Sequence, residues 1–335
     1  MQIDGMVRTD LTKVPGDVKA AEAMGYDGIA TAELANDPFL ALVLAAEHSQ
    51  KVQLATGIAV AFARNPMTLA IQAHDLNAYS KGRFVLGLGS QIKPHIEKRF
   101  SMPWSAPAAR MKEMIQAIRA IWACWYDGAR LDFHGEHYTH TLMTPMFTPD
   151  VKEYGAPKIY LAAVGPKMTE TAGAVADGML VHAFTTAEYF REKTVPAVQR
   201  VLDAEGRKRS EFEFSLPIMA ATATNDEELE KARFTVKKRI AFYGSTPAYK
   251  VVLDHHGWGD LQPELNLMSK QGLWDEMAGL ITDEIFDAFG IAGTPAEVTD
   301  WTISRFGGEL DRVTIDFAGA DPDEAQELMS RLRAA

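Results

Sequence analysis

Gly82-Arg-Phe-Val-Leu-Gly-Leu-Gly-Ser90 and Pro157-Lys-Ile-Tyr-Leu-Ala-Ala-Val-Gly-Pro-Lys-Met168 are short apolar runs that end in small residues and pass into a helical pattern. The second puts Gly165 at a strand exit and Pro166 at the first helical position, where the missing N–H of proline costs nothing. Backbone N–H groups left free at the positive end of such a helix form a ready site for phosphate. Working outward, runs of the same kind appear at Gln2–Val7, Gly28–Ala32, Val52–Val60, Met179–Ala183, Phe212–Ala221 and Arg312–Phe317. With Arg83–Leu88 and Lys158–Val164 they make eight. Most lack strict polar alternation, as parallel strands buried on both faces do. Helical patterns separate them, which favours βα units.

The helix starts share a device. Asp37-Pro38, Asn65-Pro66, Thr294-Pro295 and Asp321-Pro322 each set a capping side chain before a proline. Thr294 with Glu297, and Asp321 with Glu324, have capping-box spacing. Gly25 and Gly82 stand where helices end. Eight strands alternating with helices predict an α/β fold, a closed (β/α)8 TIM barrel rather than an open doubly wound sheet, spanning 1–335 as a single domain. Three segments exceed simple loops and are read as insertions, approximately 91–108, 128–156 and 244–290; the first and third follow the fourth and seventh strands on the C-terminal face, and the second lies between the fourth helix and the fifth strand. Leu131-Asp-Phe-His-Gly-Glu-His-Tyr138, in the second of them, predicts a small hairpin.

Composition narrows the class. The 335 residues are 47% hydrophobic and 24% charged, ordinary for a globular chain with a sizeable core. A formal charge of −11 argues against general nucleic-acid binding, and no apolar run suits a membrane span. The N-terminus lacks the order of a signal peptide, and a lone Cys124 suits a reducing compartment, so a cytoplasmic protein is expected.

Gly87-Leu-Gly89 lacks the third glycine of a dinucleotide fingerprint; its plain reading is small residues for close strand–helix packing. Gly57 reads as a strand glycine at a bulge. Glu33 ends the second strand, where burial could fit it for proton transfer or leave it to orient substrate. Arg64, Lys93, His95 and Lys167 lie at strand exits, each either a solvated charge or an offset for an anion. No metal is expected: His134, His137 and His140 cannot converge in extended structure, and adjacent His255-His256 is poor ligand geometry.

Phe84–Ser90, Ile159–Met168 and Ala176-Asp177-Gly178 together resemble the bacterial-luciferase-like superfamily, whose members bind flavin or the deazaflavin coenzyme F420. The resemblance runs from Ala21–Asp27 to Gly293–Glu297 and is nearest to the F420-dependent oxidoreductases. It implies a dimeric TIM barrel that carries hydride between F420 and a small organic substrate, an alcohol, carbonyl or conjugated alkene. It implies cofactor contacts at Gly57 and Ile58, joined by a cis peptide, and at Arg64, Gly89, Ser90, His95, Ala163, Val164, Gly165, Pro166, Lys167 and Met168. Relatives carry Asp-His where this chain has Ala32-Glu33, so the resemblance hands the catalytic proton to Glu33. Two rival readings stay open, an FMN-dependent monooxygenase and a non-catalytic flavin-binding barrel.

Overall fold

Residues 1–223, 225–317 and 320–335 are described by a computed structural model. Eight strands form one ring: β1 (Gln2–Met6), β2 (Gly28–Thr31), β3 (Gln53–Thr56), β4 (Phe84–Gly89), β5 (Lys158–Ala163), β6 (Gly178–Val181), β7 (Glu213–Pro217) and β8 (Arg312–Thr314). Each pairs in parallel with its neighbours in chain order, and β1 against β8 closes the circle. The barrel expected from the sequence is present. Around it pack α1 (Val14–Met24), α2 (Pro38–Glu47), α3 (Pro66–Tyr79), α4 (Pro107–Asp127), α5 (Pro166–Val175), α6 (Val195–Ala204), α7 (Pro295–Phe306) and α8 (Pro322–Ala334). The cap–proline starts behave as read: Asp37, Asn65, Thr294 and Asp321 all accept main-chain N–H groups of the first turn. Thr294 and Glu297 complete a reciprocal box.

The N-terminal end of the barrel is closed by ions. Arg312 on β8, 3% exposed, makes a two-pronged bond to Asp4 on β1. Tyr160 on β5 donates to Glu213 on β7 at 2.5 Å. Strands β5 and β7 are not neighbours, so these side chains meet across the barrel interior. Burial pushes the Tyr160 hydroxyl pKa well up, with the Glu213 charge adding to it. Gly28 is required beside this plug, because a Cβ there would lie 2.4 Å from Asp4 Oδ1. With that end sealed, any pocket for a ligand must open at the strand exits.

Two boundaries differ from the sequence expectation. The run read as Val52–Val60 is two strand segments, Gln53–Thr56 and Ala59–Val60, on either side of the bulge expected at Gly57, with Ala59–Val60 resuming the pairing to β4. The run read as Phe212–Ala221 leaves the ring at Pro217, and Ala220–Thr222 pairs instead with Ile291–Gly293. The insertion after β7 also begins earlier than 244. Helix Asp226–Gly244 turns Val236, Ile240 and Ala241 into a second core with Leu253, Leu265, Phe286 and Phe289 rather than onto the strands. Phe184 and Met219, just past β6 and β7, join that core, so the helical cap sits over those two exits.

The segment 128–156 forms the expected hairpin, Phe133–His134 against Thr139–His140. Glu113 accepts the N–H groups of Glu136, His137 and Tyr138, and Arg110 donates to the Tyr138 hydroxyl at 2.9 Å. Arg110 and Glu113 lie in the first two turns of α4, so the hairpin climbs back along that helix toward the strand exits.

Candidate cofactor and active site

The exits of β3 and β4 share one solution. The Gly57–Ile58 peptide is cis, as expected, and the bulge it forms presses against β4. A Cβ at Gly87 would lie 1.8 Å from Thr56 O, and one at Gly89 would lie 2.6 Å from Ile58 Cδ1. Thr56 Oγ1 accepts the Gly87 N–H at 2.9 Å and donates to Gly87 O at 2.7 Å. The glycines of Gly87-Leu-Gly89 therefore serve strand-on-strand packing, not the strand–helix packing read from the sequence.

Glu33 lies at the next exit and is 9% exposed. Its N–H donates to Ile58 O at 3.2 Å, tying the end of β2 to the bulge. Its Oε2 accepts from the Val60 N–H at 2.7 Å and from Arg64 Nη1 at 2.6 Å. Arg64 Nη2 reaches Asp37 Oδ2 at 2.9 Å, while Asp37 Oδ1 caps α2 through the N–H groups of Phe39 and Leu40. Arg64 is thus at the predicted place, but its guanidinium is committed to two carboxylates and has no charge left over for an anion. Ser90 follows β4, with Oγ donating to Gln91 O at 3.1 Å. Lys93 and His95 are exposed on the next turn, where Lys93 lies 3.7 Å from Glu97.

The β5 exit keeps its donors free. Gly165 has φ 77 and ψ 157, a conformation that essentially only glycine adopts, and a Cβ there would meet nothing within 4 Å. Pro166 follows at the first helical position, and the first helical bond runs from Thr169 N–H to Gly165 O at 3.1 Å. The N–H groups of Lys167 and Met168 lie outside that ladder, and no side chain caps them. Ala163 is buried and Val164 half-buried behind the turn, and Lys167 is exposed beside it.

His182, one residue past β6, stands at the same face and is not singled out by the sequence reading. Its Nδ1 accepts the Phe184 N–H at 3.0 Å and its Nε2 meets the Tyr249 hydroxyl of the cap at 3.3 Å. The ring packs on Tyr243 and Tyr249, with centroids 4.7 and 4.5 Å away. Burial drives its pKa down to about 4, so the imidazole is neutral. It lines a small cavity together with Val164, Gly165, Thr185 and Val252, which joins the β5 turn to the cap. The available signal is a polar residue ending the apolar run Met179-Leu-Val181. Larger spaces flank the face, one of about 670 Å³ at Met6, Val7, Ile218, Thr222 and Ile315, and one of about 630 Å³ at Pro166, Tyr189 and Arg200.

Of the histidines weighed for metal, His134 turns to Asp132 at 3.0 Å, and the set with His137 and His140 forms no ligand group. Among the described residues no helix is long and apolar enough to cross a membrane.

The family described as luciferase-like monooxygenase matches residues 5–308. An uncharacterized protein of Mycobacterium tuberculosis is 51% identical over 323 residues, 96% of this chain and 95% of its own. A 5,10-methylenetetrahydromethanopterin reductase of Archaeoglobus fulgidus is 29% identical over 292 residues, 84% of this chain and 82% of its own. Among solved structures, the coenzyme F420-dependent tetrahydromethanopterin reductase of Methanopyrus kandleri superposes with a TM-score of 0.78 at 23% identity, covering 98% of this chain and 96% of that one. The chain belongs to the luciferase-like monooxygenase family.

Proposed function

We propose that this luciferase-like barrel is an oxidoreductase that moves a hydride between coenzyme F420 and a small organic substrate, an alcohol, carbonyl or conjugated alkene. The observation that carries the reading is the β5 exit, with uncapped N–H groups at Lys167 and Met168 and open space over Gly165. That arrangement fits the phosphate of such a cofactor. A relative named as a coenzyme F420-dependent oxidoreductase, 28% identical over 294 residues, favours the deazaflavin over FMN. When bound, the deazaflavin supplies a ring carbon that takes or gives hydride.

The chain's own residues bind and orient. Ile58, half-buried on the bulge, offers an apolar rest for a ring, with Gly89 keeping β4 clear of it. Gly165, Lys167 and Met168 hold phosphate, with Pro166 fixing the turn; Ser90, Lys93 and His95 border the same face. Glu33 is assigned as a positioning residue that fixes the bulge through Val60 and Arg64. The hydrophobic cap over β6 and β7 excludes water from one side.

Leu40, Val43, Ile71 and Tyr79 are exposed on α2 and α3, an apolar face that suits a second copy of the chain. The deciding experiment is the absorption spectrum and mass of the cofactor that co-purifies from a host making both F420 and FMN, followed by titration with each. Tight FMN binding without F420 binding would give the case to the monooxygenase reading. Cofactor binding without turnover across carbonyl and enone substrates would make the chain a carrier.

A further inference from the structure

Outside the site just described, Glu188, Glu192 and His255 bring one ligand atom each to within 4.8 Å of one another. Glu188 and Glu192 are four residues apart on the helical segment Ala187–Thr194 that follows β6. His255 ends the cap helix Lys250–His255. We propose that these three side chains form a site for one divalent cation of the zinc class, linking the cap to the barrel.

The first argument is the imidazole itself. The His255 side chain is only 10% exposed, and its Nε2 is shielded from solvent with no hydrogen-bond partner. That nitrogen faces Glu188 Oε1 at 3.7 Å and Glu192 Oε2 at 3.5 Å. A shared proton would draw N and O together to about 2.7–2.9 Å. A tetrahedral cation with bonds of about 2.1 Å instead holds its ligand atoms about 3.4 Å apart. The two N···O spacings, 3.5 and 3.7 Å, fit the cation and are too long for the hydrogen bond.

Supports outside the three ligands argue the same way. Tyr189 packs edge-on against the His255 ring with centroids 5.5 Å apart. Thr186 caps the Glu188 helix through the Tyr189 N–H at 3.0 Å and meets His256 Nε2 at 2.8 Å. That contact leaves His256 Nδ1 3.9 Å from Glu188 Oε2, the side of the carboxylate turned away from His255. Partners that orient first ligands are a regular part of metal sites. One imidazole with two carboxylates suits Zn²⁺ or Mn²⁺ better than a purely oxygen-seeking ion. His255 and Tyr189 also line the cavity of about 630 Å³ beside Pro166, so a fourth position would open toward the β5 turn.

Zinc titrated calorimetrically into the metal-stripped full chain should bind with a stoichiometry of one, and Co²⁺ should show the intense visible bands of a tetrahedral site. His255→Ala should abolish both signals, and Glu192→Gln should weaken zinc by at least the roughly 10- to 100-fold typical of lost supporting groups. Circular dichroism of each variant checks folding, and a His134→Ala/His137→Ala variant checks the exposed hairpin as an alternative ligand. Zinc raising the unfolding temperature of the wild type but not of His255→Ala completes the expected pattern. No binding by the wild type, or equal binding by the folded His255→Ala variant, overturns the site. None of these readouts depends on F420.

Discussion

Replacing Glu33 with glutamine separates an anchor from a proton carrier. The amide keeps an acceptor for the Val60 N–H but loses the charge that meets Arg64 at 2.6 Å. Both partners of that pair are shielded, with side chains 8% and 12% exposed, and Arg64 keeps Asp37. A weakened charge-assisted bond of this kind should cost about 1–3 kcal/mol. At about 2.1 cal/mol/K per residue a chain of this length unfolds with roughly 0.7 kcal/mol/K, so Tm should fall by about 1–4 °C. An anchor loosened by that amount should slow turnover less than about 10-fold, whereas loss of general acid–base help costs about 10²- to 10⁴-fold. The assay pairs thermal unfolding with F420-linked turnover across pH. We expect a lower Tm, a raised cofactor Kd and a pH profile of unchanged shape. Turnover slowed by about 10²-fold or more, with Tm unmoved and one limb of the profile lost, refutes the anchor and makes Glu33 the proton carrier.

Gly165→Val forces a branched side chain into φ 77, at a cost of about 1–3 kcal/mol. Cofactor affinity by fluorescence titration should drop, and unchanged affinity in a folded variant would remove the β5 turn from the site. Gly87→Ala sets a methyl 1.8 Å from a backbone carbonyl and should yield no stable protein, while Gly89→Ala meets only the movable end of Ile58 and should fold with about 1–3 kcal/mol lost; equal stability of the two contradicts the packing account. His182 titrates near 4 when folded, below its ordinary value of 6.5, so the unfolded chain takes up this proton first as pH falls. Stability should then decline between pH 6.5 and about 4, by roughly 3 kcal/mol from this group. Urea midpoints for the wild type should fall more steeply over that range than those of His182→Gln; parallel slopes would deny the burial.

What the sequence made legible is what repeats. Eight apolar runs and four cap–proline starts announced a closed barrel, because a parallel strand buried on both faces must be apolar along its length. The free helix start after Gly165 was legible for a related reason, since proline at the first turn has few other meanings. Contacts between residues distant in the chain left no such trace. Asp37 was visible as a cap for α2, but nothing local says that its second oxygen takes Arg64, 27 residues on. His182 depends on a tyrosine 67 residues later. The early start of the cap was hidden because an amphipathic helix such as Asp226–Gly244 looks the same whether it covers strands or other helices.

These ties bear on how a strand exit should be read for chemistry. A charged residue there invites a catalytic role, yet an exit is also where the ring loses its ladder of hydrogen bonds and the chain must be held by other means. Here Glu33 and Arg64 hold the ends of β2 and β3, bare glycines let β3 lean on β4, and His182 binds β6 to the cap. At the β5 exit no side chain caps the main-chain donors of Lys167 and Met168. A group already satisfied by the protein has little left with which to bind a ligand, whereas unsatisfied N–H groups at a helix start gain by binding one. By that argument, and on the proposed reading, the β5 exit would take the anionic part of a cofactor, while the charged pair at β2 and β3 would supply the rigidity against which its ring is placed.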